Sequence, residues 1–192
     1  MCKFFFVLTT IYIDCLGIRS NKRRDGYGGS IENRAKFTLR VVDEVAARVG
    51  PQRTGLRISP WNDYQDMRMK DPVPTFSYLA SELKKRQPGL AYLHAVEDHL
   101  KIKSNDFLRK IWQPNGGVFL SAGGHNRESA FKFAEEKGDV VVFGKMFISN
   151  VSFHNIGNAY VLKINAAGSP SSYRERHSVH KIRLYHVLYM DE

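Results

Sequence analysis

The sequence predicts an α/β chain built on a parallel sheet, and three observations predict it. Short apolar runs alternate with amphipathic helical runs between residues 31 and 143, the pattern of strands joined by right-handed helical crossovers. One of these runs, Leu90 to Val96, is apolar almost throughout, as strands covered on both faces are. Glycine and proline mark the joints, at Gly50-Pro51 and again at Pro60. A closed barrel and a doubly wound open sheet satisfy this pattern equally.

Residues 1–18 open with Lys3 and the apolar run Phe4 to Ile13. The run has the length of a signal-peptide core, but it is too short to span a bilayer. Asp14-Cys15-Leu16-Gly17 is a poor cleavage site, so a strand or buried helix of the sheet is expected here. Residues 20–34 then pass from charges and glycines into a helical pattern. Ser30 stands at the N-cap, with Glu32 in the first turn beside the positive end of the helix dipole. Gly26-x-Gly28 is followed by Ile31 where a dinucleotide fingerprint needs glycine. On the residues alone this stretch is a structural joint.

The helix over 31–49 carries Ala35, Leu39, Val42, Ala46 and Val49 on one stripe. A strand near 54–59 follows, then a polar and aromatic loop from Trp61 to Pro74, then a helix over 75–86 that buries Phe76, Leu79, Ala80 and Leu83. The strand Leu90 to Val96 leads to a short helix over 105–112 and a strand near 118–122. A helix over 126–137, capped by Asn126, has Ala130, Phe133 and Ala134 on its core side, and precedes a strand near 139–144. Beyond Asn150 there is no helical stripe, only a Gly168–Ser172 linker and an alternating tail.

The 29 Lys and Arg against 19 Asp and Glu leave a net charge of +10. These cations are scattered among acidic residues rather than gathered in a stripe with aromatics, so nucleic acid is not the expected partner. Nor is a membrane. The two cysteines, Cys2 and Cys15, form neither a disulfide framework nor a C-x-x-C. A reducing, cytoplasmic setting is expected. His94-Ala95-Val96-Glu97-Asp98-His99 lies at a strand end without the helical register of a zinc motif. No metal is expected, and His94 reads as a hydrogen-bonded core histidine.

Sites in parallel α/β folds lie at the carboxyl ends of the strands. Arg57 sits near such an end in apolar surroundings, where a cation needs either a carboxylate or a ligand. Ala122-Gly123-Gly124 follows a strand and precedes a helix. That is either a tight turn or an anion site lined by backbone N–H groups.

Residues 20–34, Ser-Asn-Lys-Arg-Arg-Asp-Gly-Tyr-Gly-Gly-Ser-Ile-Glu-Asn-Arg, resemble the S-N-x-R-x-D-x-Y-G-G-S-I-E-N-R signature of the old yellow enzyme family. Gly55 to Pro60, Leu90 to Glu97, Ser121 to Gly124 and Phe143 to Asn150 match the same family in the same order. The resemblance implies a partial (β/α)₈ barrel, about strands five to eight with their helices, over 20–150. It leaves 1–19 and 151–192 as divergent termini. It further implies FMN as cofactor, NAD(P)H as electron donor and an activated alkene as substrate. Arg57 would face the flavin pyrimidine edge. Ala122, Gly123, Gly124, Gly144 and Lys145 would grip the phosphate, more weakly than the family's arginine because lysine lacks its fork.

Tyr12 matches the proton-donating tyrosine, but Val7 and Thr10 stand where the family places its substrate-binding histidines. The expectation is therefore a truncated and impaired oxidoreductase, self-associating through open barrel edges. The alternative is a non-catalytic remnant or interaction protein with weak or no flavin binding.

Overall fold

The structure is a computed structural model that describes residues 6–8, 16–63, 67–97, 103–125 and 127–143. It divides into two compact units, Met1–Gly124 and His125–Glu192.

The first unit contains β1 (Phe6–Leu8), α1 (Ile31–Val49), a 3₁₀ turn (Pro51–Arg53), β2 (Thr54–Ile58), α2 (Val73–Arg86), β3 (Tyr92–Val96), α3 (Asp106–Trp112) and β4 (Phe119–Ala122). Its strands lie side by side in chain order and are all parallel. Val7 pairs with Gly55, Arg57 with His94, and His94 with Leu120. Crossovers of one hand between neighbouring strands put successive helices on one face of the sheet. The core shows that layer: Leu39 of α1, Leu79 of α2 and Leu108 of α3 are buried with Leu56, Leu93 and Phe119 of the strands. Each such side chain contributes on the order of 2 kcal/mol by leaving water.

The helices start and stop where their residues require. Ser30 is extended, with φ −66° and ψ 161°, and its Oγ accepts the Asn33 N–H at 3.3 Å. Gly50, at φ 92°, ends α1 and donates its N–H to the Ala46 carbonyl at 2.9 Å. The stripe Ala35, Leu39, Val42 and Ala46 is buried as expected, but Val49 is exposed at the helix end. The second helix begins at Val73, two residues before the expected start. Pro74 sits in its first turn, where the missing N–H costs nothing.

The loop before that helix also differs from expectation. Met67 and Met69 are buried in the core while Arg68 and Lys70 are exposed. This period-two alternation puts both methionines of a segment without regular structure into the core.

Residues 20–34 form the structural joint read from the sequence. A Cβ on Gly28 would lie 2.0 Å from the Arg23 carbonyl oxygen, so only glycine lets the loop close there. Arg34 is buried and donates from Nε to the Leu16 carbonyl at 2.8 Å, from Nη1 to the Gly29 carbonyl, and from Nη2 to Thr75 Oγ1 at 3.1 Å. One guanidinium thus ties the chain before the joint, the joint itself and the start of α2.

The second unit contains α4 (Arg127–Lys137) and β5 (Val140–Val142). Gly138, at φ 68°, turns the chain between them, and Ala130 and Asp139 are buried. Tyr12, Asn126, Gly144, Lys145 and the tail beyond lie outside the described residues. No helix among the described residues is long and apolar enough to cross a membrane.

Candidate functional site

Alternation along the strands sorts their residues into two faces. Leu56, Ile58, Leu93, Ala95 and Phe119 point into the helix layer. Their neighbours Gly55, Arg57, Tyr92, His94, Leu120 and Ala122 line the opposite face, paired Gly55 with Tyr92 and Arg57 with His94 across β2 and β3. Tyr92 lies directly across Gly55, where a Cβ would be 2.4 Å from its ring. The glycine in the middle of β2 is therefore the seat of this ring.

Arg57, next to last in β2, stands beside His94 at the centre of β3. His94 is 1 % exposed, and neither ring nitrogen has a hydrogen-bond partner among the described residues. This corrects the expectation of a hydrogen-bonded core histidine. Burial holds the imidazole neutral, and the Arg57 cation adds to that effect, taking its pKa down to about 3. An orphaned buried nitrogen costs about 1–3 kcal/mol, a cost that a polar ligand or water on this face removes.

At the end of β4, Gly123 and Gly124 have φ of 115° and 65°. A Cβ on Gly123 would lie 3.0 Å from the Glu97 carbonyl oxygen, whereas Gly124 has open space on its Cβ side. The turn is held to the end of β3, because the Glu97 N–H donates to the Ala122 carbonyl at 2.6 Å. Backbone turned this way, with no side chain in front, is the usual lining of an anion site. The φ values are those of a tight turn, one of the two readings of these residues.

Beneath these strand ends, on the helix side, is a network that the sequence reading did not identify. Glu97 and Arg109, 8 % and 5 % exposed, form an ion pair. Glu97 Oε1 also accepts from Ser121 Oγ at 3.4 Å, and Oε2 accepts the Asn105 N–H at 3.4 Å. Asn105 Nδ2 donates to the Val96 carbonyl at 3.0 Å, and its Oδ1 accepts from Trp61 Nε1 at 2.9 Å. The guanidinium of Arg109 lies 4.8 Å over the Phe119 ring. The loops following β2 and β3 are thereby fixed to each other and to strand β4. The available signal was Glu97 itself, a carboxylate one residue past an apolar strand, which demands a buried cation.

The structure thus brings Arg57 together with His94, and places Ala122, Gly123 and Gly124 at the neighbouring strand end. A fixed cation and an orphaned imidazole share one face of the sheet, next to an open glycine turn.

Residues 14–156 match the NADH:flavin oxidoreductase / NADH oxidase family. The chain is 39% identical over 137 residues to 12-oxophytodienoate reductase 1 of Oryza sativa subsp. japonica, which covers 68% of this chain and 36% of the relative. Morphinone reductase in complex with tetrahydroNAD superposes with a TM-score of 0.63 at 35% identity, over 71% of this chain and 37% of that one. Old Yellow Enzyme from Pichia sp. AKU4542 superposes with a TM-score of 0.58 at 32% identity, over 70% of this chain and 36% of the other. The chain spans about a third of the length of these relatives. The fold is part of a (β/α)₈ barrel.

Proposed function

The chain belongs to the NADH:flavin oxidoreductase / NADH oxidase family, and from that premise we propose that it binds FMN at the carboxyl ends of β2, β3 and β4. The activity we propose is that of an NAD(P)H oxidoreductase reducing an activated alkene. The observation that carries the reading is the placement of Arg57 beside neutral His94 on the sheet face away from the helices.

Bound FMN would supply hydride transfer between the nicotinamide and the alkene. Arg57 holds a permanent positive charge at the strand end, where it favours a ligand that carries or gains negative charge. The neutral imidazole beside it offers one donor and one acceptor to the same face. Ala122, Gly123 and Gly124 offer backbone rather than side chains, suited to a phosphate; Gly144 and Lys145 complete this set in our reading. Tyr12 is assigned the proton-donor role.

A second reading, flavin binding with little turnover, is favoured by Val7. It occupies β1 in register with Gly55, at a position where the family resemblance calls for a substrate-binding histidine. An apolar side chain there neither orients a carbonyl nor polarises it.

Titration of FMN against the purified chain, followed by flavin fluorescence, tests the binding reading. Saturable binding that weakens at least tenfold in Arg57→Ala supports it, and binding indifferent to that change places the site elsewhere. Oxidation of NAD(P)H by the FMN-loaded chain in the presence of an activated alkene then separates the two readings.

A further inference from the structure

The turn Gly123-Gly124 has no side chain of its own to fix it. Both residues have positive φ, 115° and 65°, and glycine moves between backbone regions more freely than any other residue. The geometry of the turn is therefore imposed from outside, and residue 97 is the neighbour placed to impose it. A Cβ on Gly123 would lie 3.0 Å from the Glu97 carbonyl oxygen and 3.2 Å from the Glu97 nitrogen, so the turn rests directly on that backbone. Glu97 also grips the two residues before the turn. Its N–H donates to the Ala122 carbonyl at 2.6 Å, and its Oε1 accepts from Ser121 Oγ at 3.4 Å. The carboxylate is itself held. Arg109 pairs with Oε1, and the Asn105 N–H donates to Oε2 at 3.4 Å. Arg109 in turn donates from Nη1 to Asp106 Oδ1 at 3.1 Å and lies over the Phe119 ring. Its guanidinium is thus fixed both from α3 and from β4.

We propose that Glu97 is a positioning residue for this turn, and that its grip sets the preference of the chain for FMN over riboflavin. The proposal rests on the FMN reading given above, in which the turn takes the phosphate. Glu97 acts through the end of β4: the bonds to Ser121 and Ala122 hold the strand up to the residue before Gly123, and the backbone contact holds Gly123 itself. Preorganised backbone of this kind binds an anion without first having to be ordered. Arg109 makes the arrangement compatible with an anion. A bare carboxylate bonded to Ser121 would repel a phosphate held only a few residues further on. The guanidinium cancels that charge and leaves the hydrogen bonds to Ser121 and Asn105 in place.

The test measures the Kd of FMN and of riboflavin for the full chain and three variants, by flavin fluorescence, with melting curves alongside. Riboflavin lacks only the phosphate, so the ratio of the two constants isolates the turn from the ring site. Glu97→Gln combined with Arg109→Met removes both charges and keeps a carbonyl that accepts from Ser121 and Asn105; it should keep the wild-type ratio. Glu97→Ala combined with Arg109→Met removes the same charges and leaves no acceptor. It should bind FMN about tenfold more weakly with riboflavin unchanged. Ser121→Ala leaves the ion pair whole and should lower the ratio about threefold, which decides the matter if the alanine double variant does not fold. A role in stability alone would weaken both flavins together. If the wild type prefers FMN and the ratio is the same in Glu97→Ala with Arg109→Met and in Ser121→Ala, the positioning role is overturned and the FMN reading stands. Equal loss in the glutamine and alanine double variants would also overturn it, since the charges and not the grip would then set the ratio. A wild-type chain that binds both flavins equally overturns the positioning role, and one that binds neither overturns the FMN reading with it.

Discussion

Arg34 donates to Thr75 Oγ1 at 3.1 Å across forty-one residues of sequence, and this bond ties the signature loop to the second helix. The guanidinium is buried, desolvation lowers its pKa, and its remaining bonds go to backbone carbonyls. Replacing Arg34 by Ala strands two carbonyls and a hydroxyl without donors. A loss of about 3 kcal/mol is expected, at about 1–3 kcal/mol for each buried group left unpaired and partial rehydration. Thr75→Val removes one partner only and should cost about 1 kcal/mol. Chemical denaturation of the three chains checks the ratio; equal losses would mean that the link to the second helix carries the whole effect.

The Glu97–Arg109 pair is enclosed, so removing one partner leaves an uncompensated buried charge. Arg109→Met should cost about 3–5 kcal/mol. Arg109→Met combined with Glu97→Gln should recover part of that loss, because the second change removes the stranded carboxylate. Urea midpoints of the single and double variants decide this, and additivity of the two losses would refute it.

Gly123 combines a φ of 115° with a neighbouring carbonyl oxygen 3.0 Å from its missing Cβ. Gly123→Ala should cost about 1–3 kcal/mol of backbone strain, whereas Gly124→Ala, with open space before it, should cost about 1 kcal/mol. If the turn holds the FMN phosphate, Gly124→Ala should weaken FMN binding by more than its small stability loss explains. Parallel melting and FMN titration separate the two effects.

His94 has a folded-state pKa of about 3 against an ordinary value of 6.5. Between those values the unfolded chain binds a proton that the folded chain refuses. The histidine therefore subtracts nothing above about pH 6.5, and stability falls as pH drops from there toward 3, by up to about 1.4 kcal/mol per unit. His94→Gln, which does not titrate, should flatten this part of the acid limb. Denaturation midpoints at pH 7, 6, 5 and 4 check it; an unchanged slope would show that other groups set the limb.

Much of this was legible in the sequence for identifiable reasons. Phe76, Leu79, Ala80 and Leu83 were readable because helical spacing and burial coincide. Ser30 was readable because a capping hydroxyl acts three residues away, within the range of local pattern. Arg57 was selected by its place at a strand end. The network of Glu97, Asn105, Arg109 and Trp61 was not readable, since its members meet only when separate crossovers bring their loops together. Met67 and Met69 were missed because their burial comes from packing in a loop outside the described strands, which helical or strand periodicity does not flag. The missing hydrogen bonds of His94 are likewise a property of its surroundings, which no spacing encodes.

The indole of Trp61, bonded to Asn105 and edge-on to Phe107 at 6.2 Å, gives the strand ends an optical reporter. The chain has one other tryptophan, Trp112, which is buried and bonded to the Val118 carbonyl at 2.9 Å. Emission from the half-exposed Trp61 is expected to lie to the red of emission from buried Trp112, and iodide quenching should separate the two. Loosening of the loops after β2 and β3 would register in the accessible component alone, while global unfolding would move both. The rim of the site and the core beneath the helices therefore carry different colours of intrinsic light, and local opening is distinguishable from unfolding without any added label.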